Sequence, residues 1–155
     1  MPKKYKFSLE SVLSYRQILE DKKEKEFSEA LRELQVENKK LEKIKSDISN
    51  AFSTLRKCGQ NVYTSAQFMA YQKYIRALQS KQHNQMKQIE KAKLKVNQKR
   101  AELIEASKEK KVLEHLDNVR KENYYHELEE QDKKFLDEIA ITRFSFNNQP
   151  DFGGI

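Results

Sequence analysis

Apolar positions recur with helical period along two long stretches of the chain. In the first stretch they fall on the a and d positions of a heptad repeat, at Phe27, Ala30, Leu34, Leu41, Ile44, Ile48, Ala51 and Leu55. The second stretch begins near Ser65 and keeps the same period through Tyr71, Ile75, Leu78, Ile89, Ala92, Val96, Leu103, Ala106 and Leu113. A heptad of this kind forms a narrow apolar seam, which only a partner helix can cover. The pattern therefore predicts two long helices packed on each other.

The two periodic stretches are separated by residues 58–64, where a helix is expected to stop. Gly59 is the only glycine between Lys3 and Gln149, and that interval contains no proline. Glycine takes the left-handed conformation that ends a helix at little cost. With Thr64 as N-cap, Gln67 falls at the third helical position and completes a capping box. We predict a tight turn followed at once by a new helix.

These signals predict an all-α fold, a long antiparallel two-helix coiled coil (helical hairpin) with helix 2 longer than helix 1. Helix 1 is expected over about 8–57 and helix 2 over about 65–143, within one hairpin domain at 1–147. The last residues, 148–155, are expected to be a disordered tail. Helix 1 can cover only about as many residues as it contains. We therefore predict that helix 2 overhangs beyond Leu113 by about 25 to 30 residues.

Two places interrupt the apolar seam of helix 1. The segment 20–26 is almost wholly polar, and Glu37 fills a d position between Leu34 and Leu41. The first of these is predicted to be the weakest part of the helix pair.

Charge divides the chain into parts of different sign. The chain is 35% charged and carries a net charge of +7, made up of +4 over residues 1–57, +7 over 65–115 and −4 over 116–155. A basic hairpin with an acidic extension favours different partners at its two ends.

Composition and motifs argue against an enzyme. The histidines, His83, His115 and His126, are tens of ångströms apart on one predicted helix, and no glycine-rich phosphate loop is present. We therefore expect no catalysis, no metal, no cofactor and no small-molecule substrate. A lone cysteine, Cys58, favours a reducing compartment and is expected to have no role as a reactive thiol. With no apolar run to serve as a secretory signal or a membrane span, the sequence predicts a cytoplasmic protein.

Two stretches allow more than one interpretation. The basic run from Lys81 to Arg100 could bind nucleic acid, but its lysines could equally pair with glutamates of helix 1, and no aromatic residue interleaves it. Nucleic acid is therefore disfavoured, and the alternative function is a basic coiled-coil spacer or nucleic-acid-binding protein. Tyr74 lies beside the seam at a g position, where it could pack against helix 1 or form part of a docking patch.

Three stretches together resemble the FliJ family of flagellar export proteins, which is related to the stalk proteins of virulence type III secretion. They are the opening Phe7-Ser-Leu9-Glu-Ser-Val12-Leu13-Ser-Tyr-Arg16, the post-turn Phe68-Met-Ala-Tyr71-Gln72-Lys-Tyr74-Ile75-Arg-Ala-Leu78, and the closing Asp137-Glu138-Ile139-Ala140-Ile-Thr-Arg143. The resemblance covers nearly the whole chain.

The resemblance implies a non-enzymatic stalk that binds the hexameric export ATPase and the transmembrane export gate protein and assists export chaperones. It implies a location at the cytoplasmic face of the inner membrane, in the flagellar basal body. Gate binding would fall on Ile44, Tyr74 and Leu78. Binding in the ATPase ring would fall on the helix termini, at Leu9, Leu13, Arg16, Tyr124, Leu128 and Phe135. Where the family often presents further apolar residues on the gate surface, this chain has Asp47, Ala51, Lys81 and Gln85.

Overall fold

The computed structural model describes residues 4–58 and 64–148, and within them it contains two α-helices and no strand. Helix α1 spans Glu10–Cys58 and helix α2 spans Ser65–Asn147. The all-α prediction is confirmed: the two helices pack against each other and the second is the longer. Helix α2 ends four residues beyond its predicted end. Gly59, most of the predicted turn and all but the first residue of the predicted tail lie outside the described residues.

The chain separates into two compact units. The central unit is Gln17–Lys108, and the terminal unit joins Met1–Arg16 to Glu109–Ile155. Both helices contribute to both units.

In the central unit the helices run antiparallel. Residues with lower numbers on α1 pair with residues that have higher numbers on α2. The cross-helix pairs are Glu37 with Gln85, Glu33 with Lys95, Glu26 with Lys99 and Lys23 with Glu102. Apolar seam positions are buried between the helices, at Ala30, Ile44, Ala51, Ile75, Leu78, Ile89, Val96 and Ala106. Ala51, Ile75 and Leu78 form one cluster, against which Ile48 and Leu55 pack.

The polar segment of α1 is held to α2 by charge. Lys23 and Lys99 each lie 3.2–3.5 Å from the carboxylates of both Glu26 and Glu102, so four ion pairs close a ring across the helix pair. The hydrogen bond from Lys23 lowers the pKa of Glu102, and the same bond raises the pKa of Lys23. At Glu26, partial burial acts to raise the pKa, but the hydrogen bonds and charges of the two lysines outweigh it and the pKa is lowered.

The other interruption of the seam, Glu37, is bridged by an amide. The Gln85 side chain donates to the Glu37 backbone carbonyl at 2.9 Å and also to its carboxylate. The Gln85 amide and the Glu37 oxygens satisfy each other as donor and acceptors. The seam therefore contains this polar pair without an unsatisfied polar group at the pair.

Helix α2 begins with a reciprocal pair of hydrogen bonds. The Thr64 N–H donates to the Gln67 side-chain oxygen at 3.2 Å, and the Gln67 N–H donates to the Thr64 hydroxyl at 3.3 Å. These are the two bonds of a capping box, which satisfies donors that the first turn of a helix leaves free.

In the terminal unit, the residues before α1 continue its path along α2. Tyr5 donates a hydrogen bond from its hydroxyl to the Asp117 carboxylate at 2.9 Å, and its ring lies 5.7 Å from that of Tyr124. The predicted overhang beyond Leu113 is therefore too long: a non-helical N-terminal segment, residues 4–9, covers α2 as far as Tyr124.

Candidate interaction surfaces

A pair of tyrosines, one half-buried and one exposed, lies near the start of α2 in the central unit. Tyr74 is 50% exposed, and the ring of Tyr71 meets it edge-on with centroids 6.4 Å apart. Ala70, Tyr71 and Tyr74 line a surface groove of about 400 Å³. An amphipathic aromatic that is half exposed and fixed by a neighbour is typical of an interface anchor. We call these three residues the tyrosine surface.

The three residues proposed for gate binding are not equally accessible. Ile44 is 4% exposed and Leu78 is 7% exposed, whereas Tyr74 is on the surface. The heptad already places Ile44 and Leu78 at seam positions, so both are taken up by packing between the helices. In this arrangement only Tyr74 can be touched directly by a partner.

Two further apolar side chains near the start of α2, both within the post-turn stretch that resembles the family, are exposed. They are Phe68, at 42% exposure, and Met69, which is more exposed. Phe68 occupies a heptad position, and the pattern therefore predicted it to be part of the seam.

Most of the residues proposed for the ATPase ring pack inside the terminal unit. Leu9 and Leu13 are half-buried, and Arg16 forms an ion pair with Glu109. Tyr124 contacts the ring of Tyr5 and also that of Tyr125, at 5.5 Å. Their common effect is to hold the start of the chain against α2.

The N-terminal segment is anchored by further contacts to α2. Phe7 is buried, and the guanidinium of Arg120 lies 5.8 Å from the centre of its ring while donating to the Ser8 hydroxyl at 2.9 Å. Partial burial, and then the hydrogen bond to Asp117, raise the pKa of Tyr5. The neutral phenol is thus the form that the segment stabilises.

Beyond Tyr124, α2 presents an apolar stripe that no described residue covers. Leu128 and Ile139 are partly exposed, Phe135 is 62% exposed and Phe146 is 77% exposed. Their spacings of 7, 4 and 7 residues keep them on one face, since 11 residues make almost exactly three turns of an α-helix. We call these four residues the C-terminal stripe.

A groove of about 260 Å³ opens beside the C-terminal stripe, lined by Phe135, Glu138, Ile139, Thr142 and Arg143. Leu128 and Phe135 were among the predicted ring-binding residues, but Ile139 and Phe146 were not. Ile139 and Phe146 could have been identified from the sequence, because each lies 11 residues after a predicted ring-binding residue, Leu128 or Phe135.

The basic run of α2 is partly neutralised within the central unit. Lys95 pairs with Glu33 at 2.9 Å and Lys99 with Glu26 at 3.3 Å, which is the cross-helix pairing that competed with nucleic-acid binding. Among the described residues no group of histidine, cysteine and carboxylate side chains could hold a metal ion. Within the same ranges neither helix combines the length and apolarity that a membrane crossing requires.

The described residues thus define a two-helix scaffold with exposed aromatic side chains on each of its two units. Residues 5–149 match the family described as flagellar FliJ protein, and the chain belongs to that family. No curated protein matches the sequence. Among solved structures, CT670 of Chlamydia trachomatis, described as a homologue of YscO, is similar with a TM-score of 0.50 and 22% identity. That match covers 94% of this chain and 100% of the other, and at this identity it supports the fold alone.

Proposed function

We propose that this protein is a non-enzymatic stalk and coupling factor of flagellar type III protein export. In this proposal the terminal unit binds the hexameric export ATPase, the tyrosine surface binds the transmembrane export gate protein, and the protein also assists export chaperones. It acts in the cytoplasm, at the cytoplasmic face of the inner membrane. Membership of the FliJ family supports the pathway, and the exposed surfaces support the mode of action.

The observation that carries the proposal is the C-terminal stripe. Four apolar side chains on one helical face, two of them phenylalanines exposed by more than 60%, are costly to leave in water. The part of α2 that bears them lies past the last residue covered by the N-terminal segment. No described residue covers these side chains, and in this proposal a binding partner does.

The proposal assigns different parts to the six predicted ring-binding residues. Leu128 and Phe135 lie on the stripe and contact the ATPase. Leu9, Leu13, Arg16 and Tyr124 keep the N-terminal segment and the beginning of α1 against α2.

The three predicted gate-binding residues likewise have two different roles, direct contact and support. Tyr74 makes the direct contact, using the groove that it lines with Ala70 and Tyr71. Ile44 and Leu78 support this surface by packing between the helices, since both are buried.

The ATPase site is tested with two double variants of the full chain. Phe135→Ala with Phe146→Ala removes aromatic groups from the stripe. The control is Ile141→Ala with Phe144→Ala, which removes side chains exposed by 64% and 68% from the opposite face of the same segment. Binding to a purified type III export ATPase should weaken by about a hundredfold for the stripe variant, because two buried aromatics at about 1.5 kcal/mol each contribute about 3 kcal/mol together. Equal losses for both variants would show that the stripe is not the site.

The gate site is tested with Tyr74→Ala, measured against the purified cytoplasmic domain of an export gate protein. The control is Tyr15→Ala, since Tyr15 is similarly exposed but belongs to the terminal unit. A loss confined to Tyr74→Ala supports the assignment, and unchanged binding in Tyr74→Ala contradicts it.

A further inference from the structure

The exposed C-terminal stripe continues a face of α2 that the protein already covers with its own chain. Counting from Leu113 in alternate steps of 4 and 7 residues gives Asp117, Tyr124 and then the four residues of the stripe. A helix with this spacing keeps all these positions on one side. Tyr5 occupies the face at Asp117 and Tyr124, and nothing among the described residues occupies it further along.

The covering segment has a definite chemistry. Its sequence is Lys4-Tyr-Lys-Phe-Ser-Leu9, in which basic residues alternate with aromatic ones. The aromatic side chains contact α2, through Tyr5 on Tyr124 and through Phe7 beneath Arg120. Lys6, together with Tyr5, Phe7 and Asp117, borders a surface groove in the same unit. At Asp117 and Tyr124, therefore, this face of α2 binds a basic and aromatic segment of the same chain.

The uncovered part of the face has complementary charge. From Tyr125 to Asn147, α2 carries six acidic and three basic residues, which is a net charge of −3. Two of the acidic residues flank the stripe: Asp132 is about 40° from Leu128 around the helix, and Glu138 is about 60° from Phe135. Glu138 lines the groove beside Phe135 and Ile139 together with Arg143, a cation about 40° from Ile139 around the helix, so the charge next to the stripe is acidic by one unit.

We infer that the C-terminal stripe binds a basic segment bearing aromatic or aliphatic side chains, which lies along α2 directly after the N-terminal segment of the protein itself. The inference rests on the proposed function, because it names the chemistry of the segment that the export ATPase presents to this surface. The apolar side chains of the segment cover the stripe, and its cations face Asp132 and Glu138. A second copy of this chain fits less well, since two such stripes would bring like net charges together.

The test uses a matched pair of charge reversals in the full chain. Asp132→Lys with Glu138→Lys changes the charge beside the stripe. Glu130→Lys with Asp137→Lys makes the same change in net charge on the opposite face, because each residue is two positions, or about 200°, from a stripe residue. Circular dichroism of both variants checks that helicity is kept.

Two labelled peptides serve as probes besides the export ATPase. One contains two copies of Lys-Tyr-Lys-Phe-Ser-Leu, and the other has glutamate in place of every lysine. We expect the basic peptide to bind the wild-type chain and the acidic peptide to bind at least about tenfold more weakly. The reversal beside the stripe should weaken the basic peptide and the ATPase by about tenfold, since two adjacent charge pairs contribute about 1.4 kcal/mol together. The control reversal should have a smaller effect that added salt removes.

Each other outcome is decisive. Equal binding of the two peptides, or equal effects of the two reversals, overturns the inference; loss of ATPase binding in Phe135→Ala with Phe146→Ala would then leave the proposed function standing. If the wild-type chain does not bind the ATPase, the proposed function fails, and the peptides alone decide the chemistry of the stripe. A concentration-dependent dimer in analytical ultracentrifugation that is lost when Phe135 and Phe146 are changed would identify a second copy as the occupant and overturn the inference.

Discussion

Leu78 and Tyr74 lie one helical turn apart on α2, and the structure assigns them opposite roles. Leu78 is 7% exposed in a cluster with Ala51 and Ile75, whereas Tyr74 is 50% exposed. Leu78→Ala removes three buried methyl or methine groups, each of which stabilises the fold by about 0.8 kcal/mol, and leaves a cavity. We expect a loss of about 2–4 kcal/mol of unfolding free energy. Tyr74→Ala should change it by only about 0.5 kcal/mol.

The assay is urea unfolding of the full-length chain, followed by circular dichroism at 222 nm. Hydrogen exchange localises the effect: exchange in Leu78→Ala should accelerate around Ala51 and Ile75 and much less within the terminal unit. Binding to the export gate protein is measured as well. Tyr74→Ala should weaken this binding and leave the unfolding curve unchanged. The reasoning is refuted if Leu78→Ala is neutral, or if Tyr74→Ala destabilises the fold as much as Leu78→Ala does.

Three further predictions concern local contacts. Thr64→Ala should lower stability by about 1 kcal/mol by removing the capping box, whereas Thr64→Ser should retain most of it; thermal unfolding that does not separate the two contradicts the assignment. The lowered pKa values of Glu26 and Glu102 mean that their ion pairs stabilise the fold above the ordinary glutamate pKa of 4.5 and that this contribution is lost as pH falls through the lower folded-state pKa. Glu26→Gln with Glu102→Gln should flatten the acid side of the stability profile, and an unchanged profile would show that the ring contributes nothing. Tyr5 has a raised pKa, so its contact with Asp117 is present below pH 10 and lost as pH rises through the higher folded-state pKa; Tyr5→Phe should abolish this alkaline transition in hydrogen exchange of the N-terminal segment.

The heptad pattern was enough to predict the fold and most of the buried residues of the central unit. Ile75, Leu78, Ile89 and Val96 are buried at the positions where the repeat places them. A coiled-coil seam can be predicted in this way because the same local spacing that forms the helix also defines its buried face.

The length of the uncovered part of α2 could not be predicted in the same way. Tyr5 and Asp117 are 112 residues apart in sequence, and a short non-helical segment has no periodicity to indicate where it packs. Its effect is to move the end of the covered region from Leu113 to Tyr124. Beyond Tyr124 no described residue covers α2, so among the described residues the uncovered stretch is shorter than the predicted one.

The residues of the candidate sites could also be predicted only in part from the sequence. Resemblance to the family indicated Ile44 and Leu78 as gate-binding residues, while the heptad placed both in the seam, and their burial follows the heptad. Phe146 was missed because helix 2 was predicted to end at about 143, three residues before it. The structure continues α2 through Phe146, which brings it onto the same face as Phe135.

The central claim is that this protein couples to an export ATPase through the C-terminal stripe. Its most direct test is the rate of ATP hydrolysis by a purified type III export ATPase, measured at concentrations where the hexamer can form, with the wild-type chain and with Phe135→Ala, Phe146→Ala. We expect the wild-type chain to stimulate hydrolysis and the double variant not to do so, while both retain the same helicity. Absence of binding and stimulation by the wild-type chain, or equal stimulation by the variant, would contradict it.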